Sequence, residues 1–254
     1  MLKAVIFDMD GTLLDSEIVH FYAICGSFKE RVGYELTMEE YLLYCGIPDD
    51  QMWPRLLKDL SEREDSSLYG QFTDEQNVQE ETQFLKKRHW ELYDQYIREH
   101  GVNAFPGMEG LLSELKENGV KIAIATGSYR HIVRSNMEQI GITEYVDAIA
   151  TSEDCDRGKP ESDVFLAAAK FLGVDPSECL VVEDSRNGLI GAKRAGMCCV
   201  GFGGSQVPAQ IELAPVSFND YRTVSTADFR RWYEEQSESE VSQRDRSRDS
   251  NGAE

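Results

Sequence analysis

The stretch KAVIFDMDGTLLDSE, residues 3–17, decides the fold. Its apolar residues run without alternation into Asp8, and Asp10 and Gly11 follow at once. An unbroken apolar run of this length is the pattern of a strand buried on both faces, as in a parallel sheet covered by helices. The end of that strand carries two carboxylates side by side. Like charges this close disfavour joint ionisation unless something positive stands between them, so the rest of the chain must supply a cation.

Four later runs share the pattern: VKIAIAT at 120–126, VDAIAT at 146–151, CLVVED at 179–184 and CCVGF at 198–202. Helical patterns separate them. In MEGLLSELKENG, Leu111, Leu112 and Leu115 share a face before Gly119. In ESDVFLAAAKFLG, Phe165, Ala168, Ala169 and Leu172 share a face before Gly173, and NGLIGAKRAG ends at Gly196. A glycine is the residue expected just past a helix C-terminus. Strands alternating with helices predict an α/β fold, a parallel sheet with helices on both faces. Residues 16–97 break the rhythm with helical spacing (Ile18, Phe21, Tyr22, Cys25, Phe28) and no strand, and the acid-rich 59–81 is expected to be a loop. The expected organisation is a discontinuous core, 1–15 with 98–236, an all-helical insertion, 16–97, and a tail, 237–254. That tail, with five acidic residues, three basic and no aromatic, is too polar to order itself.

The chain has 254 residues, 41% of them hydrophobic and 28% charged, enough for a large core. Its formal charge of −20 argues against a nucleic-acid partner, which needs a basic footprint. An anionic substrate would be repelled at long range, so a site for one must be locally positive. No apolar run approaches the ~20 residues of a membrane span, and the N-terminus lacks the pattern of a signal peptide. The six cysteines form no CxxC pair and are expected to be reduced thiols in a cytoplasmic protein.

Ligands of open parallel sheets bind beyond the carboxyl ends of the strands. Those ends deliver Asp8 and Asp10, then Thr126, Gly127 and Ser128, then Lys159 in TSEDCDRGKP, then Glu183 and Asp184. A hard divalent cation such as Mg²⁺ suits several carboxylates beside a phosphate, and Lys159 adds the other positive charge. The set matches metal-assisted phosphoryl transfer with a carboxylate nucleophile. Each piece alone has a plainer reading. DxD is often a metal-free turn, GKP a helix-capping loop, and EDS an N-cap supplied by Asp184 or Ser185. Their succession at consecutive strand ends favours the functional one.

Together DMDGTLLDSE, ATGS, GKPESDVF and VVEDSRNG, with FPGMEGLLSEL, resemble the haloacid dehalogenase superfamily of hydrolases. More narrowly, they are similar to the β-phosphoglucomutase-like and sugar-phosphate phosphatase branch, over about residues 1–235. The resemblance implies a Rossmann-like core with a helical cap acting as a mobile lid. It implies Asp8 as the nucleophile that forms an aspartyl-phosphate, and Asp10 as general acid and then base. Thr126, Gly127, Ser128 and Lys159 would hold phosphate. Mg²⁺ would be held by Asp8, Asp10 through its backbone carbonyl, Asp184, and Glu183 close by or ligating. Asp10 opposes dehalogenation, and membrane-pump motifs are absent. A Schiff-base role for Lys86 or Lys87 competes with an ordinary solvated helix face.

The choice between a phosphatase and a phosphomutase falls on the cap. His20 matches a histidine of the mutases that family phosphatases also carry, so substrate contact and a surface or hinge role both stay open. Where mutases have a phosphate-clamping arginine, YCGIPDD places Pro48 and Asp49, and His89 stands where they have a lysine. Asp49 would repel a second phosphate. Arg130, His131 and Arg157 have surface readings beside functional ones, and Trp53 and Trp90 have core readings. The expectation is a monomeric, Mg²⁺-dependent phosphatase of a small phosphorylated metabolite, such as a sugar phosphate. A sugar phosphomutase is the alternative, and a non-catalytic binding protein would be free to lose Asp10 or Lys159.

Overall fold

The computed structural model describes residues 1–44, 47, 49–205 and 207–251, with the side chains of 49, 50 and 240–251 outside the description. The chain forms two units, 1–14 with 104–254, and 15–103.

The first unit is built on a six-stranded parallel sheet in the order β3-β2-β1-β4-β5-β6. The strands are β1 (Ala4–Phe7), β2 (Lys121–Ala125), β3 (Ala148–Ala150), β4 (Cys179–Glu183), β5 (Cys198–Phe202) and β6 (Ser217–Phe218). β1 lies between β2 and β4, with Ile6 opposite Ala123 on one side and Val181 on the other. All four β1 residues are fully buried, which is why the run shows no alternation.

The helices of the second unit are α1 (Glu17–Val32), α2 (Met38–Leu42), α3 (Asp49–Glu62) and α4 (Glu75–His100). Those of the first are α5 (Met108–Glu117), α6 (Arg130–Gln139), α7 (Asp163–Leu172), α8 (Arg186–Arg194) and α9 (Thr226–Asn251). The leucine face of α5 and the Phe165–Leu172 face of α7 are buried as their spacing predicts. On one side of the sheet, α7 and α8 close over Ala4, Ile6, Ala123 and Val181.

The helical spacing from Ile18 to Phe28 is borne out by α1, whose buried residues are Val19, Ala23, Ile24, Ser27 and Phe28, with Phe21 and Cys25 packed against the same core. Tyr22 is 51% exposed and stacks on Tyr96 of α4 at 6.1 Å. One expectation needs correction. The stretch 59–81 is helical at both ends, and only 63–74 connects α3 to α4. Leu68 and Phe72 anchor that connection in the helical core beside Leu57 and Leu60. Most of the expected tail coincides with α9, beyond the described side chains. Pro48 and the side chain of Asp49 also lie outside the description, as does Cys45. The other five cysteines are free thiols, and among the described residues no helix is long and apolar enough to cross a membrane.

Candidate active site

The chain leaves β1 at Phe7, and the Asp8 amide still donates to Val182 O at 3.0 Å, so Asp8 is fixed by the sheet. The next residues reverse in a tight turn. The Thr12 and Leu13 amides both return to Met9 O, and Gly11 takes φ 78°, a conformation that costs glycine little. This turn holds Asp10 half-buried beside Asp8, which is 7% exposed.

Lys159 supplies the positive charge that the first strand demands. Its Nζ lies 2.5 Å from Asp8 Oδ1 and 2.5 Å from Glu183 Oε1, with the side chain 13% exposed. Burial pushes the Asp8 pKa up from its ordinary value, helped by Glu183 and Asp10, while Lys159 opposes the rise. For Lys159 burial works against the charge, but the two carboxylates outweigh it and its pKa is raised. The lysine is therefore a fixed cation.

Glu183 ends β4 and is fully buried. Its Oε2 accepts the Ser185 amide at 3.0 Å and the Ser185 hydroxyl at 2.9 Å. Ser185 is also the N-cap of α8, accepting from the Gly188 amide at 3.0 Å. One carboxylate thus ties Lys159 to the start of a helix. Of the two capping candidates in EDS, Ser185 takes the role. This leaves the Asp184 side chain to receive Thr12 Oγ1 on Oδ1 at 3.3 Å.

One carboxylate oxygen each from Asp8, Glu183 and Asp184 lies within 4.8 Å of the others. Three hard oxygen donors around one point fit a Mg²⁺-type ion. Glu183 has both oxygens engaged, by Lys159 and by Ser185.

On the other side of β1, Thr126 Oγ1 accepts the Ser128 amide at 3.1 Å. Ser128 Oγ donates to Asp10 Oδ2 at 2.6 Å, linking the turn after β2 to the second aspartate. Gly127 between them is exposed. The site thus gathers Asp8, Asp10, Lys159, Glu183 and Asp184 with the Thr126–Ser128 turn.

The remaining candidates have partners of their own. The Arg130 guanidinium bonds Asp154 and Ile149 O, and Arg157 pairs with Asp163 at 2.9 Å on the surface. His131 is exposed beside Tyr129. His20 lies in the helical unit, its Nδ1 3.0 Å from Nε2 of the buried His89 and its ring stacked on Tyr93 at 4.4 Å. Trp90 meets His20 edge-on, while Trp53 is fully buried against Phe28. Lys87 pairs with Glu91 on its own helix. Sequence reasoning did not single out Thr12 for the hydroxyl it turns to Asp184. The T of DMDGT is adjacent to the turn glycine, and that position was its only signal.

The family model described as "Haloacid dehalogenase-like hydrolase" matches residues 5–202. Among curated proteins, the chain is 35% identical over 201 residues to "Putative phosphatase YhcW" of Bacillus subtilis (strain 168), covering 79% of this chain and 83% of that one. It is 30% identical over 208 residues to the "Beta-phosphoglucomutase" of the same organism, covering 81% and 85%. Among solved structures, a β-phosphoglucomutase from Clostridium difficile superposes with a TM-score of 0.72 at 24% identity, covering 93% of this chain and 99% of that one. At that identity the superposition speaks for the fold alone.

Proposed function

Because this chain belongs to the haloacid dehalogenase-like hydrolases, in the branch of β-phosphoglucomutase-like enzymes and sugar-phosphate phosphatases, we propose that it is a Mg²⁺-dependent phosphatase of a small phosphorylated metabolite, a sugar phosphate, acting through an aspartyl-phosphate. The observation that carries this reading is the Lys159 ammonium bridging Asp8 and Glu183 at the strand ends. A lysine so placed holds the Asp8 carboxylate in one orientation with its charge partly neutralised.

In this reading Asp8 attacks phosphorus, and the ester oxygen leaves with a proton from Asp10. Asp10 then takes a proton from water, and that water hydrolyses the acyl-phosphate on Asp8. General acid–base assistance of this kind contributes roughly 10²–10⁴-fold. The Ser128 hydroxyl on Asp10 Oδ2 sets the direction of that carboxyl. Lys159 and the Thr126–Ser128 turn receive the transferring phosphoryl oxygens. Asp8 and Asp184, the Asp10 carbonyl, and Glu183 adjacent would hold Mg²⁺, which supplies charge neutralisation at the phosphoryl group.

Hydrolysis is favoured over phosphate relocation by Pro48 and Asp49, which stand where a mutase needs a phosphate-binding arginine. The proposed protein is cytoplasmic and monomeric, without nucleic-acid or membrane partners, in keeping with its charge of −20. The test is phosphate release, with and without Mg²⁺, from a panel of sugar phosphates, nucleotides and an aryl phosphate. The panel includes β-glucose 1-phosphate with a trace of the bisphosphate. Mg²⁺-dependent release supports the phosphatase. Conversion of β-glucose 1-phosphate to glucose 6-phosphate without release would make the protein a mutase.

A further inference from the structure

Tyr221 lies beyond the segment that the family model matches, which ends at residue 202. It opens a one-turn helix, Tyr221–Thr223, just after β6, and its side chain is 1% exposed. The phenol hydroxyl donates to the backbone carbonyl of Thr12 at 2.9 Å, across 209 residues of chain. Thr12 is fully buried in the turn that follows Asp10, and its own hydroxyl donates to Asp184 Oδ1. A continuous route of two hydrogen bonds therefore runs from the C-terminal segment to the carboxylate cluster.

The ring that carries this hydroxyl has little freedom. It stacks on Phe202 at 4.6 Å and meets Phe218 edge-on at 5.2 Å. The start of α5 also packs closely against this turn. A Cβ on Gly107 would lie 2.5 Å from Arg222 Cγ and 2.8 Å from the Arg222 amide, so only glycine lets these segments approach. Burial, with Asp184 and Asp8 nearby, pushes the phenol pKa well above its ordinary value, which keeps the hydroxyl a donor.

We infer, resting on the metal-site reading above, that Tyr221 is a positioning residue: by holding the Thr12 carbonyl it fixes the turn whose hydroxyl orients Asp184 for a divalent cation. The hydrogen bond sets the Thr12 peptide, the peptide sets the direction of Oγ1, and Oγ1 selects the Asp184 rotamer. Partners one step outside a metal's ligands act in this way, and their loss typically weakens metal binding or activity 10–100-fold.

The test is Mg²⁺ binding by isothermal titration calorimetry, without substrate, on the full chain. Tyr221→Phe keeps the ring and removes only the hydroxyl. It is expected to bind Mg²⁺ roughly tenfold more weakly, with substrate KM at saturating Mg²⁺ unchanged. Thr12→Val should lose a similar factor, Thr12→Ser should retain wild-type affinity, and the double variant Tyr221→Phe/Thr12→Val should lose no more than Thr12→Val alone. Equal Mg²⁺ affinity in the wild type and Tyr221→Phe would overturn the inference, as would additive losses in the double variant. Should Tyr221→Phe lose its near-UV circular dichroism, Thr12→Val carries the test, and unchanged Mg²⁺ affinity there refutes the route. A wild type that binds no Mg²⁺ overturns this inference and the metal-dependent function together, whereas a wild type that binds with an indifferent Tyr221→Phe removes this inference alone.

Discussion

Gly188→Ala sets two effects of opposite sign against each other. Gly188 is the third helical residue of α8, and alanine there should help the helix by up to about 1 kcal/mol. The structure opposes it. A Cβ at this position would lie 1.8 Å from Glu183 Oε1, 1.9 Å from Cδ and 2.4 Å from Oε2. The obstacle is the end of a flexible side chain, but that end is fully buried and bound on both oxygens, by Lys159 and by Ser185. Making room means giving up at least one of those partners, and breaking a buried ion pair costs about 3–5 kcal/mol. The net expectation is a loss of about 2–4 kcal/mol, which lowers the thermal midpoint by roughly 5–15 °C for a chain of this size. A matched control exists at Gly110. It is likewise the third residue of its helix, α5, but is exposed with open space where a Cβ would go. Gly110→Ala should be neutral or raise stability by up to about 1 kcal/mol. Urea unfolding followed by far-UV circular dichroism separates the two. If Gly188→Ala tracks Gly110→Ala, Glu183 is not held as described and the steric argument fails. Phosphate release should fall with stability at Gly188, because displacing Glu183 also releases Lys159 from one of its two anchors.

Asp8→Asn should reduce phosphate release by on the order of 10³-fold or more while leaving the fold intact, and near-wild-type turnover would remove the proposed nucleophile. The Glu40 carboxyl is held down at about 2, because the Thr37 amide and hydroxyl, Tyr34 and Arg63 outweigh the opposing effect of burial. A depressed carboxyl gives its full stabilisation above its unfolded pKa, about 4.3, and loses it as pH falls from there through the folded value. The thermal midpoint should therefore drop less steeply between those limits in Glu40→Gln than in the wild type, and parallel curves would refute the assignment. Gln236 Oε1 accepts the buried Cys199 amide at 3.0 Å. Ending the chain after residue 239 should leave stability and rate unchanged, whereas ending it after residue 235 should cost about 1–3 kcal/mol; equal unfolding midpoints would show that this contact carries no weight.

What the sequence made legible follows from how far apart its determinants lie. β1, β2, β4 and β5 were readable because a strand buried on both faces must be apolar throughout, and that signal is local. β6 was not, since two residues at a sheet edge, Ser217 exposed and Phe218 buried, make no run. α1 was readable as a helix from the spacing Ile18 to Phe28, although that spacing did not show that Val19, Ala23 and Ile24 turn inward while Tyr22 stays exposed. The anchors Leu68 and Phe72 stand among charged and turn residues, so no periodicity marked them. At the strand ends, residue type and order were enough to nominate Asp8, Asp10, Lys159, Glu183 and Asp184. The pairing of Lys159 with both Asp8 and Glu183 was not readable, because it depends on loop geometry after β3. The Tyr221–Thr12 contact joins segments that no short-range pattern connects.

The charges at the strand ends lead to a final expectation about metal removal. Asp8, Asp10, Glu183 and Asp184 gather near Lys159, which pairs with Asp8 and Glu183, while Arg130 is turned to Asp154 and the Ile149 carbonyl. A phosphate dianion approaching that group meets net negative charge, on a protein whose own charge is −20. Unit charges about 4 Å apart interact by about 4 kcal/mol at the effective dielectric near a protein surface. The charge of Lys159 is already shared between Asp8 and Glu183. On the proposed function, a divalent cation offsets this repulsion so that the anion can bind before any chemistry occurs. Chelation should abolish equilibrium binding of inorganic phosphate as well as turnover, and restoring Mg²⁺ should return both together. If phosphate binds the chelated protein as tightly as the Mg²⁺-loaded one, the positive charge at this site comes from protein groups, and the carboxylate cluster has another purpose.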